Sequence, residues 1–143
     1  MMNITRSTVK GVVSSVLPFC LFAFLLFHFV SCSKPTPEEL ASLAAKGYYE
    51  HLAAGQFDEY LQGVNGVEEA PADYVSQLRL AAEQYRKNSE RLHKGIQKVS
   101  VSSAKNDSSL HCTQVFLLLC FGDSTQEEIC VPMVEHNGRW KMR

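Results

Sequence analysis

Near Gly95 the apolar residues of this chain stop recurring every three or four positions and begin to alternate, and they do not switch back. Helical periodicity followed by strand periodicity is the arrangement of an α+β domain, with helices gathered on one face of an antiparallel sheet. The first helix starts at Thr36-Pro37-Glu38-Glu39. Thr36 suits the cap, Pro37 the first helical position, and Glu39 completes a capping box. Leu40, Leu43, Ala44, Gly47, Tyr48 and Leu52 form one apolar stripe, and Gly55 ends the helix. Phe57, Tyr60 and Leu61 predict a short second helix that stops at Gly63, and residues 64–70 read as a loop. A longer third helix follows Pro71 or Asp73, with Tyr74, Leu78, Ala81, Tyr85 and Leu92 facing inward and Asn88 filling the step between the last two. Arg79, Glu83, Lys87, Glu90 and Arg91 fall outside, and Lys94-Gly95 closes the helix.

Four strands follow. Residues 96–104 alternate through Val99 and Val101, and residues 105–108 turn. Residues 110–121 contain Val115-Phe116-Leu117-Leu118-Leu119-Cys120-Phe121, apolar on both faces, which predicts a central strand covered on each side. Residues 122–125 connect to a strand over 128–134, where Pro132 implies an edge or a bulge. His136-Asn137-Gly138 then turns into Arg139-Trp140-Lys141-Met142-Arg143, with Trp140 and Met142 on one face and the three cations on the other. Such short connectors require antiparallel neighbours, so the expected architecture is three N-terminal helices packed on a curved four-stranded antiparallel sheet.

Residues 1–31 read as an address rather than as part of the fold. They carry Arg6 and Lys10, no acidic residue, and an apolar run from Val12 to Val30 that stops at Ser31-Cys32-Ser33-Lys34. A basic start followed by an apolar stretch is the layout of an export signal. The run is barely long enough for a membrane-spanning helix, which needs about 20 apolar residues, and Ser14, Ser15, Pro18, Cys20 and His28 weaken it. Phe29-Val30-Ser31 does not supply the A-x-A-like site of a simple cleaved signal either. Phe29-Val30-Ser31-Cys32 resembles the lipobox of bacterial lipoproteins, with Phe29 in place of the commoner leucine. That resemblance implies diacylglycerol on the Cys32 thiol and cleavage just before it. Two or three acyl chains of palmitate type, each buried CH₂ contributing about 0.8 kcal/mol, anchor far better than one.

The expected organisation is therefore a signal peptide over 1–31, a tether over 32–36 and a single domain over 37–143. Removing the leader from the 143-residue chain leaves 112 residues, with 12 basic against 15 acidic side chains and a net charge of −3. A tether of five residues spans at most about 3.3–3.6 Å per residue, so the domain would ride within roughly 20 Å of a cell-envelope membrane, periplasm- or surface-facing. The whole chain has a formal net charge of −1 with its cations scattered, so nucleic acid is not an expected partner.

Several segments of the mature chain resemble the nuclear transport factor 2-like, or cystatin-like cone, superfamily. They are Ala44-Ala45-Lys46-Gly47-Tyr48-Tyr49-Glu50-His51-Leu52, Gly55-Gln56-Phe57-Asp58 opening a short helix, and Val131-Pro132-Met133-Val134 before Gly138-Arg139-Trp140-Lys141-Met142. Within the superfamily the likeness is to small bacterial lipoproteins of unknown function. The resemblance covers about residues 36–143 and implies a sheet curled around the helices, with a pocket inside. Enzymes, binders and inert scaffolds share that fold, so function has to be sought in the site.

No catalytic or metal-binding motif stands out. Beyond Cys32 the mature chain holds Cys112, Cys120 and Cys130 without a C-x-x-C spacing. A cross-strand disulfide between Cys120 and Cys130 is permitted outside the cytoplasm, but a five-residue connector would set Cys120 opposite Glu128, and plain buried thiols are the favoured reading. No histidine pair at helical spacing offers a metal site, and no cofactor is expected. Asp58 reads as a residue favouring the start of its helix, and Asn106-Asp107-Ser108 as a turn. The residues expected to line a pocket are Tyr48, His51, Tyr74, Tyr85, Phe116 and Trp140, although aromatics at such spacing are core residues first. The expected function is a lipid-anchored, non-enzymatic module binding a small ligand or another envelope protein. The alternative is a pocket enzyme of hydratase or isomerase type using an Asp–His or Tyr–His pair.

Overall fold

In the computed structural model, residues 34–143 are described; the segment expected to be a leader, the lipobox-like tetrapeptide and Cys32 lie outside them. The elements run α1 (Pro37–Ala54), α2 (Phe57–Leu61), a 3₁₀ turn (Val67–Glu69), α3 (Ala72–His93), then β1 (Ile96–Asp107), β2 (Cys112–Phe121), β3 (Gln126–His136) and β4 (Arg139–Met142). The strands form one antiparallel sheet in the order β1-β2-β3-β4, so the switch of periodicity near Gly95 is the boundary between helices and sheet. Two register shifts in β1, at Ile96/Lys98 and Val101/Ser103, bend the strand and curve the sheet.

The capping box of α1 is complete. Thr36 Oγ1 accepts from the Glu39 amide, and the Thr36 amide donates to Glu39 Oε2 at 2.8 Å. Gly55, at φ 78°, ends the helix in the left-handed region. Lys94 and Gly95 end α3 in the same way, with φ of 59° and 77°.

The buried stripe of α1 keeps Leu52 but is turned from the expected one over the first half of the helix. Ala41, Ser42, Ala45 and Leu52 are buried, while Leu43 is 66% exposed and Leu40 also faces out. Ala41 and Ala45 meet Val99, Val115, Leu117, Leu119, Val131, Met133 and Met142, so small side chains let the helix come close to a sheet that supplies the bulk. The third helix is rotated likewise. Ala82 and Ser89 are buried and Val75, Leu78 and His93 half-buried, whereas Tyr74, Tyr85 and Leu92 are exposed.

The sheet differs from expectation in smaller ways. β1 continues to Asp107, whose carboxylate accepts from the amides of Ser109 and Leu110, so the turn lies just after the expected 105–108. β2 is central, but only its Val115-Leu117-Leu119-Phe121 face is fully buried; Phe116, Leu118 and Cys120 are half-buried. β3 begins at Gln126, not 128, and sets Cys120 opposite Gln126 and Cys130 opposite Phe116. Four ladder steps, roughly 13 Å, then separate Cys120 from Cys130, too far for a disulfide. Cys112, Cys120 and Cys130 are free thiols, and Cys130 is exposed rather than buried. Pro132 stands where β4 runs out: Arg143, the last residue, donates its amide to the Pro132 carbonyl, so the missing proline donor falls at a sheet end.

Lys141 is the clearest correction. It does not share a solvent face with Arg139 and Arg143; its side chain is 6% exposed and donates to the Gln62 carbonyl and, at 2.6 Å, to Glu68. It ties β4 to the loop after α2, which also pairs with Met142 through Gly63 and Asn65. At Gly63 an added Cβ would lie 2.5 Å from the Tyr48 ring. That ring is held in place by its hydroxyl, which donates to the Trp140 carbonyl at 2.9 Å. Gly63→Ala is therefore expected to destabilise the fold by about 1–3 kcal/mol through overpacking, read as a lower urea midpoint at unchanged slope. A wild-type midpoint would show that the Tyr48 ring is free to yield.

Candidate functional site

Between α1, α2, α3 and the start of β3 lies a cavity of about 350 Å³. β4 pairs only with Met133–His136, so the first half of β3 has no strand on its outer side, and Glu127 and Ile129 from that half border the hollow. Leu52, Leu61, Leu78, Ala82 and Ile129 make the apolar part of the wall. The polar groups are three phenols, Tyr49 from α1, Tyr60 from α2 and Tyr85 from α3, and one carboxylate, Glu127 from β3. Tyr49 and Tyr60 meet edge to face, ring centres 5.9 Å apart and planes at 86°. Such a pair is favourable beyond its buried area.

All three phenols hold their protons more tightly than a free tyrosine. Burial is the main cause for each. For Tyr49 the neighbouring Tyr60 and Tyr85 add to it, and the charge of Glu127 raises both Tyr49 and Tyr85. The phenols are thus neutral at ordinary pH and able both to donate and to accept hydrogen bonds. A hollow that is mostly apolar with a few convergent polar groups is the usual form of a small-molecule site. A second hollow, about 520 Å³ beside Leu43 and Val101, is a broad surface groove between α1 and β1.

Of the six residues expected to line a pocket, Tyr85 lines this one. Tyr48, next to Tyr49, points instead at Gly63. His51 Nδ1 lies 2.7 Å from Gln56 Oε1 at the end of α1. Tyr74 is exposed on the first turn of α3. Phe116 sits on the half-buried face of β2, opposite Cys130. Trp140 borders a small hollow with Pro37, His111 and Met133 at the start of α1. Sequence reading missed Tyr49, Tyr60 and Glu127. Glu127 had a signal: it shares strand parity with Ile129, Val131 and Met133, which places a carboxylate on the inward face once β3 is begun early enough.

A second titratable cluster joins the end of α3 to the β2–β3 connector. His93 Nδ1 lies 2.9 Å from Asp123 Oδ2, and Asp123 Oδ1 accepts from both the amide and the hydroxyl of Thr125. The Asp123 amide donates to the His93 carbonyl, so the cluster clasps helix to sheet. Among the described residues no three His, Cys, Asp or Glu side chains form a metal-holding group, and no helix is long and apolar enough to cross a membrane.

No family model matches the sequence, and no curated protein matches it significantly. Among solved structures, the chain resembles a Campylobacter jejuni protein named "Putative NTF2-like transpeptidase", with a TM-score of 0.57 and 11% identity over 68% of this chain and 92% of that one. The protein thus has a nuclear transport factor 2-like fold, as the sequence resemblance implied. At that identity the likeness carries the fold alone.

The bonds from Thr125, with His93 beside them, hold the Asp123 carboxyl down at about 2. A carboxylate depressed in the folded state adds stability above its unfolded value, near 3.8, and loses it as pH falls toward 2. Asp123→Asn is therefore expected to lower Tm at pH 5 and above, with the gap to wild type closing between pH 4 and 2. A gap independent of pH would show that the clasp does not depend on charge.

Proposed function

We propose that this chain is a cell-envelope domain, held to a membrane by acyl chains on Cys32, whose tyrosine cavity binds a small ligand without transforming it. The observation that carries the binding reading is the cavity itself: an apolar wall from four elements, three neutral phenols and one carboxylate. Proton transfer is most efficient when the group's pKa lies near the working pH, and burial has moved these phenols further from it. The pair that would serve the alternative, a hydratase- or isomerase-type enzyme, is Glu127 with Tyr85. An acyl-transfer role of the kind that the Campylobacter jejuni protein's name suggests would have to use a phenol or Glu127 as nucleophile, since the lining contains no serine, threonine, cysteine or histidine among the described residues. The membrane half of the proposal rests on the lipobox-like Phe29-Val30-Ser31-Cys32 at the end of an apolar run.

Each half has its own test. Cys32→Ser is expected to abolish incorporation of labelled palmitate and release the protein from the membrane fraction; labelling that persists would remove the anchor. For the cavity, methyl-resolved NMR of the full chain in a non-ionic detergent, titrated with water-soluble fragments, is expected to shift Leu78 and Ile129 first. Ala82→Phe fills the hollow and is expected to abolish those shifts while the protein stays folded. Fragments that never move these signals would overturn the binding reading.

A further inference from the structure

We propose that the tyrosine cavity is selective for an organic ammonium, a ligand with a positively charged nitrogen seated among the rings of Tyr49, Tyr60 and Tyr85 and balanced by Glu127. The proposal rests on the cavity being a ligand site and adds the chemical class of what it takes.

The cavity's charge is one-sided. Glu127 is its only charged lining group among the described residues, and no Lys, Arg or His of the lining compensates it. Nor does Glu127 take part in any of the ion pairs of the described residues, although Arg79, Arg86 and Lys46 each bind a carboxylate elsewhere. A carboxylate that acts on Tyr49 and Tyr85 and joins no ion pair among the described residues favours a cation arriving from outside. Glu127 is itself solvent-exposed, so it acts from the rim of the hollow, where it favours an incoming cation over an anion.

The rings supply the second half. A cation is attracted to the face of a tyrosine within about 6 Å of its centre, more strongly once desolvated. Three phenols reach one hollow from three different helices, so a guest can meet more than one ring. Tyr49 and Tyr60 stand at 86° and not in a stack, so the two rings do not cover each other face to face. Leu78, Ala82 and Ile129 complete the site with surface suited to N-methyl or alkyl groups. The raised phenol pKa values keep the rings neutral, so the site's charge is that of Glu127 alone. A volume of about 350 Å³ accommodates a small ammonium with its substituents.

Choline and its uncharged carbon isostere, 3,3-dimethylbutan-1-ol, separate charge from shape. In titrations of the full chain in non-ionic detergent, followed by the Leu78 and Ile129 methyl signals, choline is expected to bind at least about tenfold more tightly than the alcohol. Glu127→Gln is expected to lower choline affinity several-fold and leave the alcohol unchanged. Tyr85→Phe keeps the ring and should retain choline binding, while Tyr85→Leu should lose it; Tyr85 is 38% exposed, so both variants are expected to fold. Equal binding of choline and the alcohol, or choline binding indifferent to Glu127→Gln, would overturn ammonium selectivity and leave the cavity a ligand site. Fragments that bind while choline does not would do the same. If no fragment, choline or alcohol moves the cavity signals, both readings fall together.

Discussion

The closeness of α1 to the sheet is the constraint on which the rest depends. Ala41 and Ala45, fully buried, bring the helix backbone down onto Val115, Leu117 and Leu119 of the central strand. Burial at that seam costs little side-chain entropy on the helix side, since alanine has none to lose, and the sheet provides the apolar area. The depth of the helix then decides what its neighbouring residues reach. Tyr48, on one flank, arrives at Gly63 and the Trp140 carbonyl, where it locks the loop after α2 to β4. Tyr49, one residue on and turned by about 100°, arrives at the cavity. One seam of small residues therefore sets both the main tie of the fold and one wall of the site.

The same geometry explains which parts of the helices were legible. The caps were, because they are local: Thr36 with Glu39, Gly55, and Lys94-Gly95 each act within a few residues. The inward faces were not, because the expected stripes turned Leu40, Leu43, Tyr74 and Leu92 inward together with Ala44, Gly47 and Ala81. Close packing reversed this, burying Ala41, Ala45, Ala82 and Ser89 and leaving Leu43, Tyr74 and Leu92 outside. At about 100° per residue, an error of one position turns a side chain from core to surface. That error placed the expected pocket on Tyr48 and His51 instead of Tyr49. The strands were read better because a period of two leaves only two faces to choose between, and the central place of β2 followed from its apolar run.

Charged residues show the limit from another side. Lys141 alternates with Trp140 and Met142 and therefore read as solvent-facing, yet it is among the most buried polar residues described. What places it there is the loop after α2, distant in sequence, whose Gln62 carbonyl and Glu68 carboxylate satisfy its ammonium. A buried lysine is tolerable only with such partners, and no local pattern reveals them. Glu127 is a different case, an exposed carboxylate on the inward parity of β3 that borders the hollow with the three phenols.

What the linear order of residues decided alone was the class of fold, the order of its elements and their ends, because periodicity, caps and turns are short-range properties. It also carries the lipobox-like Phe29-Val30-Ser31-Cys32, a local pattern on which the proposed anchor rests. Tertiary structure alone decided which tyrosines share a cavity, that Lys141 is enclosed, and that Cys120 and Cys130 stand apart, since these depend on helix rotation and strand register to within one residue. Such offsets are set by how tightly side chains distant in sequence pack against one another, and that packing exists only once the helices have settled on the sheet.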